Sequence, residues 1–229
     1  MRTIANMKIA FNTLTIIITT FLFFSCNQDD PNLFDYSKIE GTVNNGTYYN
    51  NQIDSVYGVI YYDYIVNKSE VIAKSKFQNG GFYLNLPILT EDKLYCTIDT
   101  LFPKSIVISD KSTKINFLYL RCMSMGYKIG DLFLHNAVDR LDSGYIECDY
   151  IYCNKSVSVK GTTREVNNLY TITTNYDLTF KKGWNLMTRS ASILNFDRKT
   201  YLTSNDLPTG VIWYPSILFI IEPVRQKKL

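Results

Sequence analysis

A single histidine, His135, in a chain of 229 residues excludes zinc sites built on two or three imidazoles. Any Ser-His-Asp device would depend on that one side chain, and no Gly-x-Ser-x-Gly elbow accompanies it. Phosphate-binding glycine loops are missing, as is any Cys-x-x-Cys spacing of the kind zinc and redox motifs use. No segment of helical length carries a clean 3.6-residue apolar period, so only short helices are expected. His135 lies in Leu132-Phe133-Leu134-His135-Asn136, at the edge of an apolar run, and reads as a strand-end hydrogen-bonding residue. Neither a metal nor a cofactor is implied.

A large charge excess is also lacking. The chain carries 24 basic and 21 acidic side chains, for a formal net charge of +3. Only Arg225-Gln226-Lys227-Lys228 clusters cations, and it reads as a solvated terminus; no nucleic-acid partner is expected.

The apolar period points to an all-β protein. From Tyr170 to Phe180, Tyr170, Ile172, Tyr176, Leu178 and Phe180 share one face, with Thr171, Thr173, Asn175, Asp177 and Thr179 on the other. Phe82, Leu84 and Leu86 alternate in the same way, as do Val157 and Val159, and Ile115, Phe117 and Tyr119. Between such runs stand Asn44-Asn45-Gly46, Asn79-Gly80-Gly81 and Lys181-Lys182-Gly183, which supply turns that need positive φ. The segment from Ser190 to Asp197 is the least regular.

At the N-terminus, Arg2 and Lys8 precede an apolar run from Ile9 to Phe24 that stops at Ser25-Cys26. The run is shorter than the ~20 residues a membrane-spanning helix needs, and reads as a cleaved signal peptide. Phe23-Phe24-Ser25-Cys26 resembles the lipobox of bacterial lipoproteins, although Phe23 stands where that family usually has Leu. The resemblance implies lipidation of Cys26 and anchorage to the outer membrane, facing the periplasm or the medium. Asn27-Gln28-Asp29-Asp30 is similar to short acidic tags that direct some such lipoproteins to the cell surface, and equally fits the start of a solvated tether over 26–33. Removal of residues 1–25 takes away Arg2 and Lys8, and the net charge falls to about +1.

Ile39-Glu40-Gly41-Thr42-Val43, followed by Asn79-Gly80-Gly81-Phe82-Tyr83-Leu84-Asn85-Leu86-Pro87, resembles two strands of transthyretin-like, carboxypeptidase-regulatory-type β-sandwiches. The Pro-Leu-x-Gly-Ala segment usual after the first strand of that family is missing here. The resemblance implies a sandwich over 34–120, and a second β-rich domain is expected over 121–229. The expected architecture is two β-sandwich or barrel-like domains in tandem after a signal peptide and tether.

Few residues offer chemistry. Trp184, in Lys181-Lys182-Gly183-Trp184-Asn185-Leu186, and Trp213 are either core plugs or a sugar-stacking platform. Eighteen tyrosines occur, and Tyr48, Tyr49, Tyr57, Tyr61, Tyr62 and Tyr64 crowd one stretch among Asn and Asp. Such rings suit half-buried strands, and they also suit recognition of glycans or proteins; Tyr61 and Tyr62 join the tryptophans as binding candidates. Glu147 and Asp149 share one strand face about 7 Å apart, within the range glycosidases use, though solvated strand faces produce such pairs too.

Besides Cys26 there are Cys96, Cys122, Cys148 and Cys153. On one strand Cys148 and Cys153 stand ~17 Å apart and cannot bridge each other. Cys96 then pairs with Cys148 or Cys153 and Cys122 with the other, or all four are buried thiols. The expected function is non-catalytic binding of a glycan or an envelope protein by a lipid-anchored protein. A structural or adhesive subunit of a surface assembly, and a small glycan hydrolase using Glu147 and Asp149, are the alternatives.

Overall fold

The computed structural model describes residues 36–63, 68–139, 142–166, 170–194, 197–204 and 206–217. Cys26, the signal and tether residues, Tyr64 and the C-terminal basic cluster lie outside them. Asp35–Leu229 forms one compact unit. Its described part is all-β, with 3-10 turns at Gly46–Asn51, Glu91–Lys93 and Ile98–Thr100 and no α-helix among the described residues. The strands are β1 (Lys38–Thr42), β2 (Ser55–Asp63), β3 (Lys68–Lys76), β4 (Gly81–Asn85), β5 (Cys96–Thr97), β6 (Val107–Ile108), β7 (Lys114–Phe117) and β8 (Tyr119–Ser124). After these come β9 (Tyr127–His135), β10 (Ile146–Cys153), β11 (Val157–Val166), β12 (Thr171–Phe180), β13 (Gly183–Leu194), β14 (Asp197–Ser204) and β15 (Ile212–Ile217).

The turn chemistry anticipated from Asn and Gly is in place. Asn45 has φ 52°, Asn79 φ 53°, Gly80 φ 76° and Gly183 φ 104°, one or more in each of the three expected turns. The buried Asn185 pins the last of them: its Nδ2 donates to the carbonyls of Lys181 and Gly183 at 2.8 and 2.9 Å, and its Oδ1 accepts from Lys181 N–H at 2.8 Å.

The two strands singled out by their glycine pattern are partners. β1 and β4 pair antiparallel, with Ile39 opposite Leu84 and Gly41 opposite Phe82. The remaining strands make one sheet in the order β3-β2-β8-β9-β10-β13-β14-β12-β11-β6, with β15 on β9, and β7 joining β10 to β5. β12 runs parallel to β14, and every other ladder between these strands is antiparallel. The boundary expected between residues 120 and 121 falls inside β8, whose two edges pair with β2 from the first half and β9 from the second. The chain therefore does not divide there. Backbone hydrogen bonding continues across the expected seam, and β15, from near the C-terminus, also bridges to Val43 through Trp213.

Two cores lie on opposite faces of β10 and β13. One gathers Ile39, Phe82 and Leu84 with Val56, Ile60, Leu120, Leu132, Leu134, Tyr150, Tyr152 and Leu186. The other gathers Ile98, Ile115, Ile151, Cys153, Val157, Val159, Leu178 and Phe180. Because successive side chains alternate, a strand can serve two cores only if nearly every position is apolar, and Tyr150-Ile151-Tyr152-Cys153 is such a run. Each fully buried large apolar side chain contributes about 1.5–3 kcal/mol relative to exposure.

The cysteines do not bridge. Cys96 and Cys153 both stand opposite Ile115, on either side of β7, which puts them two strand spacings or about 10 Å apart. Cys122 lies opposite Gly130 and Cys148 opposite Leu134, four residues further along β9, about 13 Å in rise alone. Cys96 and Cys148 are separated by the further rise from Cys153 back to Cys148, and Cys122 is likewise far along β7–β8 from the row of Cys153. A disulfide needs Cα atoms within about 7 Å, so neither expected connectivity forms, and all four are free thiols.

Candidate functional site

The alternation that fills the first core also builds a concave surface. On β8, Leu120 and Cys122 enter that core, so Tyr119 and Arg121 face away from it. By the same rule Asp131 and Phe133 of β9, Glu147 and Asp149 of β10, and Met187 and Arg189 of β13 share that outward face. With Tyr61 and Phe117 these side chains line a cavity of about 600 Å³. Its size falls within the ~300–1,000 Å³ range of small-ligand sites.

Its polar groups are ordered by one another. Glu147 Oε2 accepts from Arg189 Nη1 at 3.2 Å, directly across the β10–β13 ladder. Lys128 pairs with Asp131 at 2.8 Å, and Asp131 stands opposite Arg121 in the β8–β9 register. Arg121 Nη2 donates to the Tyr61 hydroxyl at 2.5 Å, and the Tyr61 ring meets that of Tyr119 edge-on at 5.1 Å. The lining holds three cations, Arg121, Lys128 and Arg189, and three carboxylates, Asp131, Glu147 and Asp149, so its formal charges balance. Behind the floor, burial pushes the Cys148 thiol up to about 11, partly offset by its contact with Thr188.

A second concavity of about 400 Å³ adjoins the first and shares Phe117, Met187 and Arg189 with it. Phe102, Tyr176, Thr174, Thr200 and Arg198 complete much of its lining. The apolar face of β12 thus serves two purposes: Leu178 and Phe180 are fully buried in the second core, while Ile172 and Tyr176 reach this surface.

The structure distributes the sequence candidates unevenly. Trp184 is buried, packs edge-on against Tyr152, and donates its Nε1–H to the Pro87 carbonyl at 2.8 Å. Trp213 is buried between Phe82 and Tyr150 and reaches the first concavity only as part of its wall. The two indoles are core residues and form no exposed platform, because burying a ring of this size contributes more than a surface contact does. Tyr61 is at the site. Tyr62 instead lies under the Lys93 ammonium, 5.2 Å from its ring centroid, and Tyr48 pairs with Tyr49 on the first 3-10 turn. His135 ends β9, where its Nδ1 donates to the Asn136 carbonyl at 2.5 Å and its ring stacks on Tyr214.

Glu147 and Asp149 do line one cavity together. The residues that sequence reasoning missed are Arg121, Asp131, Arg189 and Arg198. The available signal was an arginine or aspartate set between buried positions of an otherwise apolar strand, as in Leu120-Arg121-Cys122.

Comparison of the chain with protein-family models, with curated proteins and with solved structures finds no match.

Proposed function

We propose that this is a lipid-anchored protein of the bacterial cell envelope that binds a glycan along the groove, without catalysis. The observation that carries the reading is the placing of Tyr61, Phe117, Tyr119 and Phe133 around a concave floor of balanced, mutually ordered cations and carboxylates. Sugars present apolar C–H faces that stack on rings and hydroxyls that both donate and accept, and such a floor offers partners for both. Anchorage rests on Phe23-Phe24-Ser25-Cys26, and places the protein at the outer membrane on its periplasmic or external side. The transthyretin-like resemblance of the two glycine-patterned strands is supported by their antiparallel pairing, β1 with β4.

The test is a glycan array probed with the full-length chain in detergent, beside Tyr119→Ala and Arg121→Ala. Retention of a defined glycan by the wild type and its loss in both variants is expected. If no glycan is retained, or if both variants retain it unchanged, the reading fails. Labelling with a radioactive fatty acid that survives Cys26→Ser would remove the anchor from it.

A second reading, a glycan hydrolase, is favoured by one observation: Glu147 and Asp149 share the cavity, about 7 Å apart by strand geometry.

A further inference from the structure

The second concavity differs from the first in its charge. It adds Arg198 to the shared Arg189 and brings no carboxylate of its own. Arg189 is already engaged by Glu147, whereas Arg198 has no carboxylate partner among the described residues. Arg198 is half-buried at the start of β14, opposite Ile172 in the parallel β12–β14 ladder and opposite Ile193 of β13. The residues directly opposite it across both ladders are thus apolar, and Arg198 itself lines the cavity.

The rest of the lining fits a sugar. Thr174 and Thr200 stand opposite each other in adjacent strands and contribute hydroxyls at the floor. Phe102 and Tyr176 meet edge-on, with ring centroids 5.6 Å apart, and supply an apolar wall. Arg189 and Arg198 are one strand and four residues apart, roughly 14 Å between backbone positions. That separation places Arg198 at the far end of a groove whose near end is charge-balanced.

Resting on the glycan-binding reading above, we infer that the second concavity is a subsite for an acidic sugar residue, whose carboxylate or sulfate is held by Arg198 while its ring lies against Phe102 and Tyr176. The first concavity takes neutral sugars of the same chain. A guanidinium binds a planar carboxylate or a sulfate through two parallel N–H donors, and such charge-assisted bonds are about twice as strong as neutral ones.

Isothermal titration of the full-length chain in detergent tests this with three probes: an oligogalacturonate, the same oligomer with its carboxyls reduced to alcohols, and a heparin-derived oligosaccharide. One acidic probe, carboxylate or sulfate, is expected to bind at least about tenfold more tightly than the reduced oligomer, and the pair distinguishes the two acids. Arg198→Gln is expected to abolish that preference, and Arg198→Lys to keep part of it. Lys199→Gln, on the exposed opposite face of β14, removes the same charge and is expected to change nothing. Equal binding of acidic and reduced oligomers, or a preference that survives Arg198→Gln, overturns the subsite and leaves the glycan reading standing. Array binding confined to neutral glycans does the same, whereas an array with no retained glycan overturns both.

Discussion

Glu147 and Arg189 stand directly opposite each other across the β10–β13 ladder, with 3.2 Å between carboxylate and guanidinium. Both belong to the lining of the larger cavity, and their side chains are 14% and 33% exposed. An ion pair so placed sits between the exposed case, worth at most about 1 kcal/mol, and the buried case, in which removing one partner costs about 3–5 kcal/mol. Glu147→Ala, which strands the arginine, is therefore expected to lower unfolding free energy by about 1–3 kcal/mol. Adding Arg189→Ala should restore part of that loss. Urea denaturation of the four members of the cycle gives the coupling directly, and additive losses would show that the pair contributes nothing beyond its separate contacts.

The free thiols make a prediction about alkaline pH. Burial pushes the thiols of Cys122 and Cys153 from 9.0 up to about 12, and that of Cys148 up to about 11. Between pH 9 and 11 the unfolded chain has released these protons and the folded chain still holds them. Folding then binds protons, so stability is intact below pH 9 and falls as pH rises, by at most about 1.4 kcal/mol per pH unit for each thiol. Burial raises the Tyr150 phenol as well and acts in the same direction. Denaturant midpoints at pH 8 and pH 10.5 should differ markedly, and Cys122→Ala should reduce the difference. With no bridge among these four residues, a reductant is expected to leave the thermal midpoint at pH 7 unchanged; a fall on reduction would contradict the free-thiol arrangement.

Trp184 is held by packing and by one hydrogen bond, from its indole N–H to the Pro87 carbonyl. Trp184→Phe keeps most of the apolar area and leaves that carbonyl without its partner, at a cost of about 1–2 kcal/mol. Trp184→Ala also opens a cavity, and about 3–5 kcal/mol is expected. Neither change touches the groove lining, so glycan affinity of the folded Trp184→Phe protein should equal that of the wild type. Loss of affinity at unchanged stability would return Trp184 to the site.

Much of the strand pattern was legible along the chain. The alternation from Tyr170 to Phe180 became β12, and the Gly80 turn set Phe82 and Leu84 into one core. What period alone does not reveal is which partner covers each face. Ile115, Phe117 and Tyr119 read as one buried stripe, yet Ile115 is in the second core, Phe117 borders both cavities and Tyr119 is 38% exposed. The cysteine pairings failed for a related reason: spacing limits separation along one strand, whereas Cys96 and Cys153 are set apart by β7 lying between them. The seam expected after Leu120 failed because β8 pairs on both edges, a property of register and not of composition. Arg121 and Arg189 became visible as a site only once β8, β9, β10 and β13 were aligned side by side.

The two carboxylates provide the sharpest separation between binding and hydrolysis. Glu147 and Asp149 project from the same face of β10 into one cavity, with backbone positions about 7 Å apart. Catalysis would require one of them to donate a proton to the leaving oxygen, whereas Glu147 is already held across the ladder by the Arg189 guanidinium at 3.2 Å. Binding asks only that both accept hydrogen bonds from sugar hydroxyls, which ionised carboxylates do well. Glu147→Gln and Asp149→Asn are therefore expected to weaken glycan affinity about three- to thirtyfold each, through loss of charge-assisted acceptors. Incubation of the wild type with a retained glycan should release no reducing ends. Reducing-end release that disappears in both variants, with binding preserved, would make the groove a hydrolase site and assign the proton transfers to this pair.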